Sequence, residues 1–247
     1  MRREQRRKKK SKTAYYLYAI VVLLLTIVNI TLSILLVTHV QGIQVSGTVY
    51  STSNEIVKWI KEDSKTKNSI YTLWKFKTGK YTLPVYMQDI KVSLSAPWKV
   101  NAVVTEKEVV ACTLMDDVYV YFDKEGLVMK RSSLYDESIL CVEGLGVEKA
   151  ERFTYLEIEN EKIFKYVVTI TTEIKKANLQ PDKVAWEDDS INLYFDDVCV
   201  KLGKTNFSEK ISELPPILEK LQGKSGVLQM EHYNSDSTGI SFEKSDE

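Results

Sequence analysis

The side chains able to do chemistry are few and scattered. There are two His, at 39 and 232, and three Cys, at 112, 141 and 199. A Ser–His–Asp arrangement would have to rest on His232, since His39 abuts an apolar run, and no G-x-S-x-G elbow accompanies it. Neither H-E-x-x-H nor C-x-x-C spacing occurs, so the zinc sites built on those patterns are not encoded. The cysteines lie in apolar, strand-like contexts and read as small buried hydrophobes, with a Cys112–Cys141 disulfide as the alternative. Three acidic doublets, Asp116-Asp117, Asp188-Asp189 and Asp196-Asp197, offer paired carboxylates for metal binding or acid–base work. Each sits between strand-like runs and lacks EF-hand spacing, so turn chemistry is the better account. Gly144-Leu-Gly146 lacks the third glycine and the βαβ setting of a dinucleotide site. Asn206-Phe-Ser208 matches a glycosylation acceptor, a triplet common by chance. No catalytic residue, cofactor or metal site is expected, and nothing supports an enzyme.

The elements that must position any site are organised by charge. The 247 residues are 44% apolar with 25 aromatics, which excludes disorder for most of the chain, and three Cys exclude a disulfide scaffold. Thirty-four basic and 34 acidic side chains balance, but unevenly. The first twelve residues hold eight Lys/Arg and one Glu, residues 13–40 hold no charge, and the remainder carries a net −7. From Leu17 to Val37, 15 of 21 residues are Leu, Ile or Val, and only Thr26, Asn29, Thr31 and Ser33 are polar. At about 1.5 Å per residue such a helix covers the roughly 30 Å of a hydrocarbon core. Tyr15, Tyr16 and Tyr18 suit the interfacial belt at its basic end. The run is too long for a signal-peptide core and no A-x-A-like site follows, so an uncleaved anchor is expected. Basic residues before the span and none from Val37 to Lys58 predict a cytoplasmic N-terminus and an outer residue 41–247 region. The basic tail also suits anionic lipid better than nucleic acid. Asn29 could bond a partner helix or is simply tolerated.

Outside the span, Ile43 to Gly47 is strand-like, and Thr52-Ser-Asn-Glu55 has capping-box spacing ahead of Ile56, Trp59 and Ile60. Residues 68–82 follow no clear period. Ile90-Val92-Leu94, Val100-Ala102-Val104 and Val118-Val120-Phe122 alternate as strands, the last ending in the turn-like Asp123-Lys-Glu-Gly126. Ile163, Val167, Ile170, Ile174 and Ala177 trace one helix face that should stop before Pro181. Trp186 and the run from Ile191 to Leu202 form a hairpin with acidic turns. Phe207, Ile211, Leu214, Leu218 and Leu221 trace a second helix, in which Pro215-Pro216 predicts a kink or break near Leu214. Two strand-like pieces follow, Val227 to Tyr233 and Gly239 to Phe242. The outer region is α+β and β-rich, in two parts.

One ordered set of motifs resembles a family. A basic tail, one span, I-x-V-x-G (Ile43 to Gly47) and a capped helix look like the start of a POTRA domain. The stretch Ile90 to Ala111, with Pro97, Val100, Val103-Val104 and Glu106-Lys107, is similar to the signature of the FtsQ/DivIB bacterial cell-division proteins. Tyr119 to Val128, through Asp123 and Gly126, resembles their next hairpin, and Gly226-Val-Leu-Gln-Met230 their closing strands. Val109 departs from a usual Pro, and the chain ends at Glu247 without the longer tail of some DivIB proteins. The resemblance implies a cytoplasmic tail at 1–14, a transmembrane helix at 15–40, a POTRA domain at 41–107, a β domain at 108–242 and a short tail at 243–247. It implies a non-catalytic, single-pass type II divisome scaffold at the septum. Its partners would be the outer segments of FtsL and of DivIC (FtsB in Gram-negative bacteria), in a complex that helps regulate septal peptidoglycan synthesis. It places partner binding at the last strands, on Val227, Leu228, Met230, His232, Tyr233, Ile240 and Phe242. A late strand with an open edge could accept a partner strand, although alternate residues there face the domain's own core. Two other readings are a POTRA-type membrane-anchored transport or assembly factor for client polypeptides, and a hydrolase using the acidic doublets.

Overall fold

The computed structural model describes residues 12–234 and 239–245; the expected basic run at 1–11 and the last two residues of the C-terminal tail lie outside them. Helix α1 (Lys12–Val37) contains a 23-residue stretch, Tyr15–Val37, of mean hydropathy 2.9, none of it buried in protein, long and apolar enough to cross a membrane. Its hydroxyl groups are satisfied locally. The hydroxyls of Thr26, Thr31 and Ser33 donate to the carbonyls of Val22, Ile27 and Asn29, four residues back, at 2.8, 2.8 and 2.9 Å. Such back-bonding satisfies a hydroxyl without water.

The rest of the first compact unit, which comprises residues 1–83 and 87–105, is a three-stranded sheet with two helices. Strand β1 (Gly42–Ser46) is followed by α2 (Ser53–Lys61) and α3 (Ser69–Lys77), then β2 (Met87–Ala96) and β3 (Lys99–Glu106). The sheet order is β1-β3-β2, with β1 parallel to β3 and Ile43 opposite Val100. The capping box at α2 is formed: Glu55 N–H donates to Thr52 Oγ1 at 3.3 Å and Thr52 N–H to Glu55 Oε2 at 2.7 Å. Ile56 and Ile60 are buried on the inner face of α2. The segment without a clear period contains α3. Its inward residues, Ser69, Thr72 and Phe76, are mostly polar, so no apolar stripe marks it, and Asn68 Oδ1 caps it by accepting from Tyr71 N–H at 3.0 Å.

The second unit, residues 84–86 and 106–247, contains three sheets among its described residues. β4 (Ala111–Met115), β5 (Val118–Phe122) and β6 (Val128–Ser132) form an antiparallel meander. β7 (Val142–Glu143) begins the larger sheet, and β8 (Val147–Lys149) pairs with β9 (Glu157–Ile158). After α4 (Glu161–Lys176) come β10 (Lys183–Glu187), β11 (Ser190–Phe195) and β12 (Val198–Gly203). Then α5 (Phe207–Leu221), β13 (Gly226–Gln229) and β14 (Ser241–Lys244) complete the chain. The large sheet runs β14-β13-β12-β11-β10-β7. Ile163, Val167, Ile170 and Ile174 of α4, with Phe207, Ile211, Leu214 and Leu221 of α5, share one core with Val184, Ile191, Leu193, Val200, Leu202 and Leu228 of the sheet.

The acidic doublets are the hairpin turns. Asp116 and Asp117 (φ 49° and 60°) and Asp188 and Asp189 (51° and 61°) are left-handed at both central positions, as a type I′ turn requires; Asp196 (46°) is left-handed in the third turn. At Pro215-Pro216 the structure corrects the sequence reading: α5 runs unbroken to Leu221. Both prolines are exposed, while buried residues before and after them hold the helix to the sheet.

Candidate partner-binding edge

The large sheet ends in β14, which pairs with β13 antiparallel, placing Phe242 opposite Leu228 and Glu243 opposite Val227. Ser245 N–H donates to Ser225 O at 3.0 Å. Hydrogen-bonded and non-hydrogen-bonded pairs alternate along such a ladder, so Glu243 and Ser241 bond to β13. The N–H and C=O of Phe242 and Lys244 then point outward, away from the sheet. The far edge of the other sheet is different. There Val128 N–H donates to Thr154 O at 2.9 Å and Phe153 N–H to Val128 O at 2.7 Å, covering the first residue of β6.

The two late strands are brought together by three devices. β13 is parallel to β12, with Leu228 opposite Val200, which leaves α5 to make the crossover between them. Gly226 opens β13 because a Cβ there would meet the carbonyl oxygen of Glu243 and the ring of Phe242. Lys210, fully buried on α5, donates its Nζ to Leu202 O at 2.6 Å and Glu231 O at 2.9 Å. That ammonium ties the end of β12 to the turn after β13, and burial pulls its pKa below the ordinary lysine value, with the Glu231 charge opposing.

The seven residues singled out from sequence divide by side. Leu228 and Met230 are buried in the unit's own core, and Tyr233, Ile240 and Phe242 pack partly against it. Val227 is half-buried on the opposite face of β13, and His232 is exposed in the turn. Ser241, Glu243 and Lys244, which line the edge itself, were not singled out. Their alternation with Ile240 and Phe242 was the signal for them, but the polar run reads equally as a loop.

No family model matches the chain. Two curated relatives do, both named cell division protein DivIB and both from Clostridium botulinum. That of strain Hall is 23% identical over 182 residues, 70% of this chain and 68% of the relative; that of strain Loch Maree is 24% identical over the same lengths. The chain is thus similar to DivIB cell-division proteins over 70% of its length. The major extracytoplasmic domain of DivIB from Geobacillus stearothermophilus, a solved structure, aligns with 47% of this chain and 95% of its own at 14% identity and a TM-score of 0.32.

Two separated parts of the stretch that resembles the FtsQ/DivIB signature meet. Lys107 Nζ lies 2.6 Å from Glu125 and 3.3 Å from buried Asp123. Asp123 Oδ1 in turn accepts from the N–H groups of Glu125 and Leu127, each at 2.8 Å, closing the hairpin turn. Burial lowers the Lys107 pKa, but the Glu125 hydrogen bond and the Asp123 charge outweigh it, leaving it above the ordinary value. The signature thus encodes a fold-closing ion pair. Among the described residues no cluster of three His, Cys, Asp or Glu could hold a metal ion.

Proposed function

We propose that this membrane-anchored cell-division protein is a non-catalytic scaffold that captures the outer segments of FtsL and DivIC by adding a partner strand to β14, and so helps regulate septal peptidoglycan synthesis. The observation that carries the reading is the edge itself. Phe242 and Lys244 direct their N–H and C=O outward, whereas β6 is covered at its first residue, Val128. An extended partner would gain main-chain hydrogen bonds there, and its alternate side chains would meet the residues flanking β14. In this reading residues 41–107 are the POTRA domain and 108–242 the β domain. The N-terminus lies in the cytoplasm, where the basic tail contacts anionic lipid, and the protein is enriched at the septum. The side chains offered to the partner are those of Val227, His232 and Tyr233 with the edge residues Ser241, Glu243 and Lys244. Leu228 and Met230 support the site from beneath.

The test is photocrosslinking from Tyr233 and Glu243 in dividing cells, with a fluorescent fusion to follow position. Adducts with FtsL or DivIC and a mid-cell band are expected. An even membrane distribution with adducts only to unfolded client polypeptides would favour a transport or assembly factor instead.

A further inference from the structure

The junction between the span and the first unit has no free linker. α1 ends at Val37 and β1 begins at Gly42. Between them Ser69 N–H donates to Thr38 O (2.9 Å), Val40 N–H to Lys67 O (2.8 Å) and Gln41 N–H to Trp98 O (2.9 Å). Asn68 Nδ2 donates to Thr38 Oγ1 at 2.7 Å, and His39 bridges Asn68. Backbone hydrogen bonds therefore begin within one residue of the end of the apolar helix.

Beside this junction lies a groove of about 720 Å³, within the roughly 300–1,000 Å³ of ordinary ligand pockets. Its walls are almost wholly apolar: Ile34 and Val37 from the last turns of α1, Ile70 from α3, Leu94 and Ala96 from the end of β2 and Pro97 from the turn after it. The α1 wall belongs to the stretch suited to lipid tails, so whatever surrounds the span also enters the groove.

The surroundings match an anionic interface. Ile70, Trp74 and Trp98 are 52%, 45% and 38% exposed, and tryptophan favours the headgroup boundary. Lys80 Nζ stands 4.3 Å from the Trp74 ring centroid. Residues 38–83 and 87–105 carry nine Lys/Arg against four Asp/Glu, whereas residues 84–86 and 106–247 carry seventeen against twenty-nine. The basic excess outside the tail is confined to the unit that the span enters, where an anionic bilayer surface attracts it.

We propose that the groove seats an acyl chain of an anionic phospholipid from the leaflet in which α1 ends, with Trp74 and Trp98 at its headgroup level and Lys67, Lys80 and Lys99 toward its phosphate. The full-length chain would be placed in nanodiscs of phosphatidylcholine, with or without phosphatidylglycerol, containing a phospholipid with a diazirine on its acyl chain. Adducts are expected on peptides spanning 69–77 and 92–98 as well as on α1, and more of them when the diazirine is carried by phosphatidylglycerol. Neutralising Lys67, Lys80 and Lys99 to Gln should reduce that enrichment about fivefold per lysine. Ile70→Asp with Trp74→Asp, both exposed positions, should leave the circular-dichroism melt unchanged while abolishing the adducts outside α1. Adducts confined to α1 in the parent protein would overturn the proposal, as would equal yields with neutral and anionic carriers. So would a photocrosslinker at Ile70 that captures a membrane helix of another protein in cells.

Discussion

Lys210 carries positive charge into a fully buried site and Lys107 into a half-buried one, and their different partners give them different tests. Lys210 has two carbonyl acceptors and no carboxylate hydrogen bond. Lys210→Ala leaves those carbonyls unpaired and opens a cavity, so urea unfolding should show a loss of about 3 kcal/mol. Lys107 has the opposite linkage. Its folded pKa is raised, so its contribution is complete below the ordinary lysine value of about 10.4 and is lost as pH rises through the folded value. Glu125 is held below the usual carboxylate range by the Lys107 hydrogen bond, so its contribution is present above about 4.3 and is lost as pH falls through the folded value. Thermal melts of the parent and Lys107→Gln should therefore differ most, by a constant margin, between about pH 5 and 10, and converge on either side. Neither lysine was legible as such. Lys210 interrupts an apolar stripe like any solvated residue, and Lys107 meets partners sixteen and eighteen positions away, beyond any local pattern.

At the scale of elements, what the sequence revealed followed period and turn chemistry. The α4 and α5 stripes, the Thr52–Glu55 cap and the aspartate turns are set by neighbours within a few residues, and each was readable. α3 was not, because its inner face is polar, and the Pro215-Pro216 break failed because tertiary packing overrode a local penalty. The candidate edge was readable as two late strands with an open edge, but not the residues that line it, since strand order depends on the parallel placement of β13 beside β12. Two substitutions separate fold from binding there. Lys244→Pro removes an outward N–H that β13 does not use, so the melt should hardly change while partner affinity falls; Lys244→Ala should bind as the parent does. Gly226→Val should instead displace β14, seen as rapid amide exchange across 241–244 and loss of binding together.

For the whole molecule, the charge balance with which the sequence is written conceals its design. A basic tail precedes the span, a basic unit follows it, and the second unit is strongly acidic. The first unit is hydrogen-bonded to the end of its anchor, and the second carries the sheet edge at β14, which no other strand pairs among the described residues. This division predicts that partner capture is insensitive to lipid composition, which can be checked by measuring binding in neutral and anionic nanodiscs. The central claim, strand addition at β14, is tested most directly by hydrogen–deuterium exchange of the full-length protein with and without the FtsL and DivIC outer segments. The account predicts new protection centred on residues 241–245, including the amides of Phe242 and Lys244. A complex that forms while those amides exchange as fast as before would contradict it.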